Sequence, residues 1–187
     1  DTPDDYLLFM GRIHPDKAPH EAIEIAQKTG HKLIIAGIIQ DQIYFENKVK
    51  PFLDDKHIQY VGSVGPEERD KLLGKALAFL HPISFEEPFG LAVIEAMACG
   101  TPVIAYNKGS MPEVIKNDYS GYLVNNQQEA IECIKNISKI ARANCRNWVE
   151  QHFTVEKMAD KYLSLYQKIV AEHKPASIRP WGNYNTL

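Results

Sequence analysis

The sequence predicts an α/β domain: a three-layer sandwich on a mostly parallel six-stranded sheet, helices covering both faces. Three observations predict it. Short apolar runs alternate with helical patterns along most of the chain. Turn and cap residues punctuate those patterns at helix ends, as at Gly30, Pro66 and Gly100. The 187 residues are enough for one domain that buries roughly 70% of its unfolded surface without disulfide or metal staples.

The elements follow in order. "YLLFMG" (Tyr6 to Gly11) reads as a buried strand. "PHEAIEIAQKTG" reads as an amphipathic helix with Ala22, Ile23, Ile25 and Ala26 on its apolar side and Gly30 closing it. Lys32 to Gly37 is a second strand, Asp41 to Leu53 a helix, and Ile58 to Val64 a third strand. "GPEERDKLLGKA" starts a helix with Pro66 in its first position. Leu77 to Ile83 is the fourth strand, "FGLAVIEAMACG" a helix closed by Gly100, "PVIAY" the fifth strand, and Gly121 to Val124 a short sixth. The remainder reads as helical, with Thr154 capping a segment from Val155 to His173. Residues 1–174 are read as one domain and 175–187 as an irregular tail. A βαβα pattern gives a parallel sheet with right-handed crossovers. Ligands of such sheets bind at the carboxyl ends of the strands.

Composition excludes several classes. A net charge of -3 argues against a large nucleic-acid footprint. No apolar run approaches a membrane span of ~20 residues. Cys99, Cys133 and Cys145 form no CxxC pair and read as reduced thiols of a cytoplasmic protein. The histidines show no HxH or HExxH spacing, so no metal site is expected. GxGxxG and GxxxxGK[ST] are both absent, which leaves a nicotinamide dehydrogenase or P-loop NTPase unsupported. The N-terminus has no basic n-region, and the chain reads as an excised piece of a longer polypeptide.

Three segments carry candidate chemistry. In "GRIHPDK", Arg12 and Lys17 follow the first strand, where a guanidinium fork and an ammonium can converge on a phosphate or diphosphate. The competing reading is two solvated surface charges. His14 and His20, nearby, receive no role. In "EEPFGLAVIEAMACG", Gly90 stands where a helix begins, so backbone amides and the helix dipole can meet a phosphate. That helix is apolar nearly all round and is expected to be buried. Glu87 and Glu95 are the carboxylates of the segment. On one helix they would stand ~12 Å apart. Retaining glycosidase pairs need ~5–5.5 Å and inverting pairs ~6.5–9.5 Å, so the spacing argues for two ends of one extended ligand. Two structural alternatives stay open: a capping box between Ser84 and Glu87, and a buried ion pair between Glu95 and a Lys or Arg. In "NKGSMPEVI", Ser110 and Glu113 have capping-box spacing, and the structural reading is favoured, with Gly109 and Ser110 near enough to a strand end to touch a ligand.

Together, "GRIHPDKAPHEAI", "YVGSV", "EPFGLAVIEAMACGTPVIA" and "GSMPEVI" resemble the C-terminal domain of group 1 retaining glycosyltransferases of the GT-B fold. The resemblance runs from about Tyr6 to Val124 and more loosely through the last helices. It implies one Rossmann-like half of a two-domain enzyme, with the acceptor-binding N-terminal domain and the family's catalytic histidine outside this chain. By resemblance Arg12 and Lys17 bind the donor diphosphate. Glu87 holds hydroxyls of the transferred sugar, Glu95 accepts from the ribose, Gly11 and Phe89 line the donor site, Gly90 and Leu91 offer amides to the phosphates, and Val64 lies against the base. No metal or other cofactor is implied; a nucleoside-diphosphate sugar is the substrate. The expected location is cytoplasmic, with any membrane association left to the other domain. The family often has Gly after the lysine where this chain has Ala18. An epimerase of the same architecture and a non-catalytic nucleotide-sugar-binding module are the alternatives.

Overall fold

The structure, a computed structural model, describes residues 2–54 and 56–173. Six strands form one sheet: β1 (Tyr6–Met10), β2 (Lys32–Ala36), β3 (Ile58–Gly62), β4 (Ala78–His81), β5 (Val103–Tyr106) and β6 (Gly121–Val124). Their order is β3-β2-β1-β4-β5-β6, and every pairing is parallel. Leu7 is in register with Leu33 on one side and Ala78 on the other. Strand order therefore reverses between β1 and β4, and the crevice outside their carboxyl ends is the switch point of the sheet. These two strands are central because they are apolar on both faces. Leu7, Leu8 and Phe9 of β1 and Ala78, Phe79 and Leu80 of β4 are all buried.

The helices are α1 (Pro19–Thr29), α2 (Gln42–Lys48), α3 (Pro66–Lys75), α4 (Leu91–Ala98), α5 (Met111–Val114), α6 (Gln127–Lys135), α7 (Arg142–His152) and α8 (Val155–Glu172). One layer has α1 packed on β1, β2 and α6; the other has α4 packed on β4, β5 and α3. Local chemistry sets most ends. Asp41 caps α2 by accepting from the Tyr44 amide at 2.9 Å, Asn126 caps α6 through the Glu129 amide at 3.0 Å, and α1 closes on left-handed Gly30.

Four boundaries differ from the sequence expectation by two residues or more, each for a backbone reason. The helix expected over Asp41 to Leu53 stops at Lys48 and gives way to a 3-10 turn at Lys50–Phe52, because Pro51 has no amide to continue it. β3 ends at Gly62, which turns with φ 76, so Ser63 and Val64 belong to a loop. β4 ends at His81, since Pro82 cannot extend the ladder. α4 starts at Leu91, after Gly90 takes up a left-handed conformation.

The described residues divide into two units, one ending at Gln151 and one starting at His152. Within the second, Thr154 caps α8 by accepting from the Lys157 amide at 3.3 Å, as its sequence predicts. No residue of α8 is buried, and Val155, Met158, Tyr162, Tyr166 and Ile169 are exposed. The expected tail, 175–187, lies outside the described residues. Among the described residues no helix is long and apolar enough to cross a membrane.

Candidate functional site

A cleft of ≈ 610 Å³ opens at the switch point between β1 and β4. Seven of the residues singled out in the sequence line it: Gly11, Arg12 and Lys17 from the loop after β1, and Glu87, Phe89, Gly90 and Leu91 from the loop and helix after β4. Phe9, His81 and Ile83 form part of its wall. Val64 and Glu95 are not in that lining.

The β1 loop is fixed at both ends. The Gly11 amide donates to the Ala36 carbonyl at 3.0 Å, and the amide of fully buried Ile13 donates to Ile38 at 2.8 Å. A 3-10 turn, Pro15–Lys17, follows, with Nδ1 of His14 accepting from the Asp16 amide at 3.3 Å. Ala18 closes the turn at φ 49 and ψ 49. Alanine in that left-handed region costs roughly 1–2 kcal/mol, which explains the glycine usual at this position of the motif and shows that Ala18 keeps the turn. The turn delivers Lys17 into the cleft. Arg12 stays exposed at the rim, its Nη1 donating to Oε1 of Gln40.

Lys17 is not a solvated charge. Its ammonium is hydrogen-bonded to Oε2 of Glu87 and sits 4.6 Å from the centroid of the Phe85 ring. The side chains of the pair are 16% and 13% exposed, so the two charges are largely removed from water. Several contacts hold Glu87 in position. Its carbonyl accepts from the Ser110 amide at 2.9 Å, the Gly109 amide donates to the Glu86 carboxylate, and the Ser84 amide donates to Asp16 at 3.1 Å. Gly109 has φ 55, and a Cβ there would stand 2.5 Å from both N and O of Glu87. Only glycine lets the loop after β5 press so closely on the loop after β4. Ser84 caps no helix, so the capping-box alternative for Glu87 is excluded.

Gly90 is the N-cap of α4, at φ 85 and ψ 55, and its carbonyl accepts from Val93 at 3.0 Å. The helix end, with about half a positive charge, therefore borders the cleft at Leu91 and Ala92. The expectation that α4 is buried all round is corrected. Leu91 is 66% exposed, and the Glu95 side chain, four residues on along the same face, is 37% exposed. Glu95 meets Arg69 of α3 at 3.1 Å. The expected basic partner exists, but the pair is half-open rather than buried. The favoured capping box at Ser110 is also corrected: Ser110 holds the N-cap position of α5 without a side-chain cap bond, and its buried Oγ has no hydrogen-bond partner.

One residue of the wall was missed. His81 stands in the apolar run "LAFLHPI", where the strand pattern absorbed it; its signal was a lone ionisable side chain one residue before the proline that ends the strand. The ring is 4% exposed and stacks on Phe79 with centroids 6.0 Å apart. Burial first, and then the nearby Lys17 ammonium, pushes its pKa down to about 3, so the imidazole is neutral at pH 7. Its Nε2 lies 4.0 Å from Oε2 of Glu87 and has no hydrogen-bond partner. Among the described residues no group of three or more His, Cys, Asp or Glu side chains is arranged to hold a metal ion.

Sheet order and cleft together define a Rossmann-like α/β domain with a ligand crevice at its switch point. The chain belongs to the family of glycosyl transferases group 1, whose profile matches residues 1–165. It is 26% identical over 190 residues to the D-inositol 3-phosphate glycosyltransferase of Mycolicibacterium smegmatis, covering 93% of this chain and 42% of that protein. It is 22% identical to spore coat protein SA of Bacillus subtilis, covering 87% of this chain and 48% of that one. The chain thus spans about half the length of curated relatives it matches. Among solved structures, AviGT4, a glycosyltransferase involved in avilamycin A biosynthesis, superposes with TM-score 0.76 at 26% identity over 92% of this chain and 53% of that one. Anabaena HepE, solved in complex with UDP, gives TM-score 0.76 at 19% identity over 88% and 49%, a likeness of fold. The fold is that of one half of a GT-B enzyme.

Proposed function

We propose that this chain is the donor-binding half of a retaining glycosyltransferase and that its cleft takes a nucleoside-diphosphate sugar. The observation that carries the reading is the convergence of Lys17, Arg12, Glu87 and the α4 N-terminus on one crevice at the switch point. Cations and a helix end suit a diphosphate, and a carboxylate beside them suits sugar hydroxyls, which it can only accept from. A UDP complex of a neighbour with the same fold agrees with this reading.

Breaking the bond between the anomeric carbon and the phosphate oxygen leaves negative charge on the departing diphosphate. Lys17, Arg12 and the first-turn amides of α4 border the crevice within reach of that charge, once Lys17 turns from Glu87 and Arg12 from Gln40; cations and amides held at such a place are the main way a site of this kind lowers its barrier. They take the place of a metal. Glu87 orients the sugar through its hydroxyls and is not a covalent nucleophile; Glu95 accepts from the ribose, exchanging Arg69 for it, and Val64 lies beyond, toward the base. The acceptor is held by a second domain of the same polypeptide, so this chain alone binds donor and transfers sugar poorly or not at all.

Calorimetric titration of the chain with UDP-, GDP- and ADP-sugars tests the reading. One of them is expected to bind, and Lys17→Ala to weaken it roughly tenfold to a hundredfold through loss of one charge-assisted contact. Binding of none of them, or binding indifferent to Lys17→Ala and Glu95→Ala, would overturn it.

A further inference from the structure

His81 is the one polar side chain of the cleft wall that the donor chemistry above leaves unused. It is buried, its ring is clamped against Phe79, and its Nε2 finds no hydrogen-bond partner. A buried polar atom without a partner costs about 1–3 kcal/mol. That atom lies 4.0 Å from Oε2 of Glu87, about 1 Å beyond hydrogen-bond length, with the Lys17 ammonium bonded to the same oxygen. A neutral imidazole carries its proton on one nitrogen only. With Nε2 facing a carboxylate oxygen, the favoured tautomer puts the proton on Nε2, since the other sets two lone pairs against each other.

Oε2 of Glu87 is now occupied by the Lys17 ammonium. An arriving diphosphate draws that ammonium toward itself, and the carboxylate is left short of a donor while it must hold the sugar. We propose that His81 is a positioning residue for the transferred sugar: its Nε2–H takes over Oε2 of Glu87 when Lys17 turns to the diphosphate, leaving the other carboxylate oxygen to the sugar hydroxyls. No proton is transferred; one hydrogen bond replaces another. The assignment rests on the reading of the cleft as a nucleotide-sugar site.

The test separates sugar from diphosphate. The 187-residue chain is titrated with UDP and UDP-glucose, GDP and GDP-mannose, and ADP and ADP-glucose, and the ratio of sugar-nucleotide to nucleotide affinity is taken for the pair that binds. His81→Leu fills the space without a donor. It is expected to leave the nucleoside diphosphate within about twofold of wild type and to lower the ratio about tenfold. His81→Gln, which carries an N–H to nearly the same place, is expected to restore most of the ratio. A structural role would instead weaken both ligands alike in His81→Leu, leaving the ratio unchanged, and would overturn the assignment. If Glu87→Gln lowers the ratio and His81→Leu does not, the assignment fails while the cleft reading stands. If wild type binds none of the six, the cleft reading fails and takes the assignment with it.

Discussion

Glu87 and Glu95 stand eight residues apart, and each meets a basic side chain, Lys17 in one case and Arg69 in the other. The surroundings separate them. The Glu87–Lys17 side chains are 13% and 16% exposed, inside a frame of loop contacts from the β1, β4 and β5 ends. The Glu95–Arg69 side chains are 37% and 35% exposed, between α3 and α4. Similar charges therefore have different consequences. In the first pair each charge depends on the other, because water cannot replace a lost partner. In the second, water can. The comparison predicts that the first pair is a coupled unit, sensitive to its frame, and that the second is exchangeable.

The largest expected effect comes from the frame. Gly109→Ala forces alanine into a left-handed position and drives its Cβ into the Glu87 backbone. The two costs together should lower stability by about 4 kcal/mol, combining left-handed strain with overpacking. A loss under 1 kcal/mol in urea unfolding would show that the loop after β4 yields freely, and the contrast between the pairs would weaken with it.

Next is the pair itself. Lys17→Met and Glu87→Gln should each cost about 3 kcal/mol, the low end for breaking a buried pair, whereas the double variant should cost much less than the sum. Coupling of about 3 kcal/mol in the double-mutant cycle is the expected result. A coupling as small as that of an exposed pair would erase the distinction.

Sequence made much of this legible, and the omissions have physical reasons. The six strands were readable because parallel strands buried on both faces are nearly continuous apolar runs. Arg12, Lys17, Glu87 and Gly90 were readable because motif spacing places them at strand and helix ends. The pairing of Lys17 with Glu87 was not: the two are seventy residues apart, and only the strand order β1 beside β4 brings them together. The open side of α4 was misread because composition alone does not reveal which stripe of an apolar helix lacks a neighbour. His81 was passed over because a single ionisable residue in an apolar run does not alter the strand pattern.

Acid should reach the buried side first. His81 is held near pKa 3 in the fold against an ordinary value of 6.5, so below pH 6.5 the unfolded chain takes up a proton that the native chain refuses. The stability linked to this residue is complete above about pH 6.5 and declines as pH falls toward 3. Between pH 7 and pH 5 the loss amounts to about 2 kcal/mol. His81→Leu should remove that part of the pH dependence, read as a smaller shift of the urea midpoint between the two pH values. An unchanged shift would mean that the imidazole is accessible to protons despite its burial.

The smallest effect belongs to Glu95 and Arg69, and its smallness is what the comparison requires. The pair has two partly exposed side chains, and open pairs of this kind contribute roughly 0.2–1 kcal/mol, screened by salt. A cycle with Arg69→Met and Glu95→Gln should therefore give a coupling near 0.5 kcal/mol in dilute buffer, falling further at 1 M NaCl, while the Lys17–Glu87 coupling changes little over the same range. If Glu95 exchanges Arg69 for a ribose, low coupling is also a functional condition: neutral hydroxyls bring no charge to offset a strongly held partner, whereas the diphosphate that would draw Lys17 does. A coupling above 2 kcal/mol that survives high salt would place Arg69 as a fixed structural partner and remove Glu95 from the nucleotide.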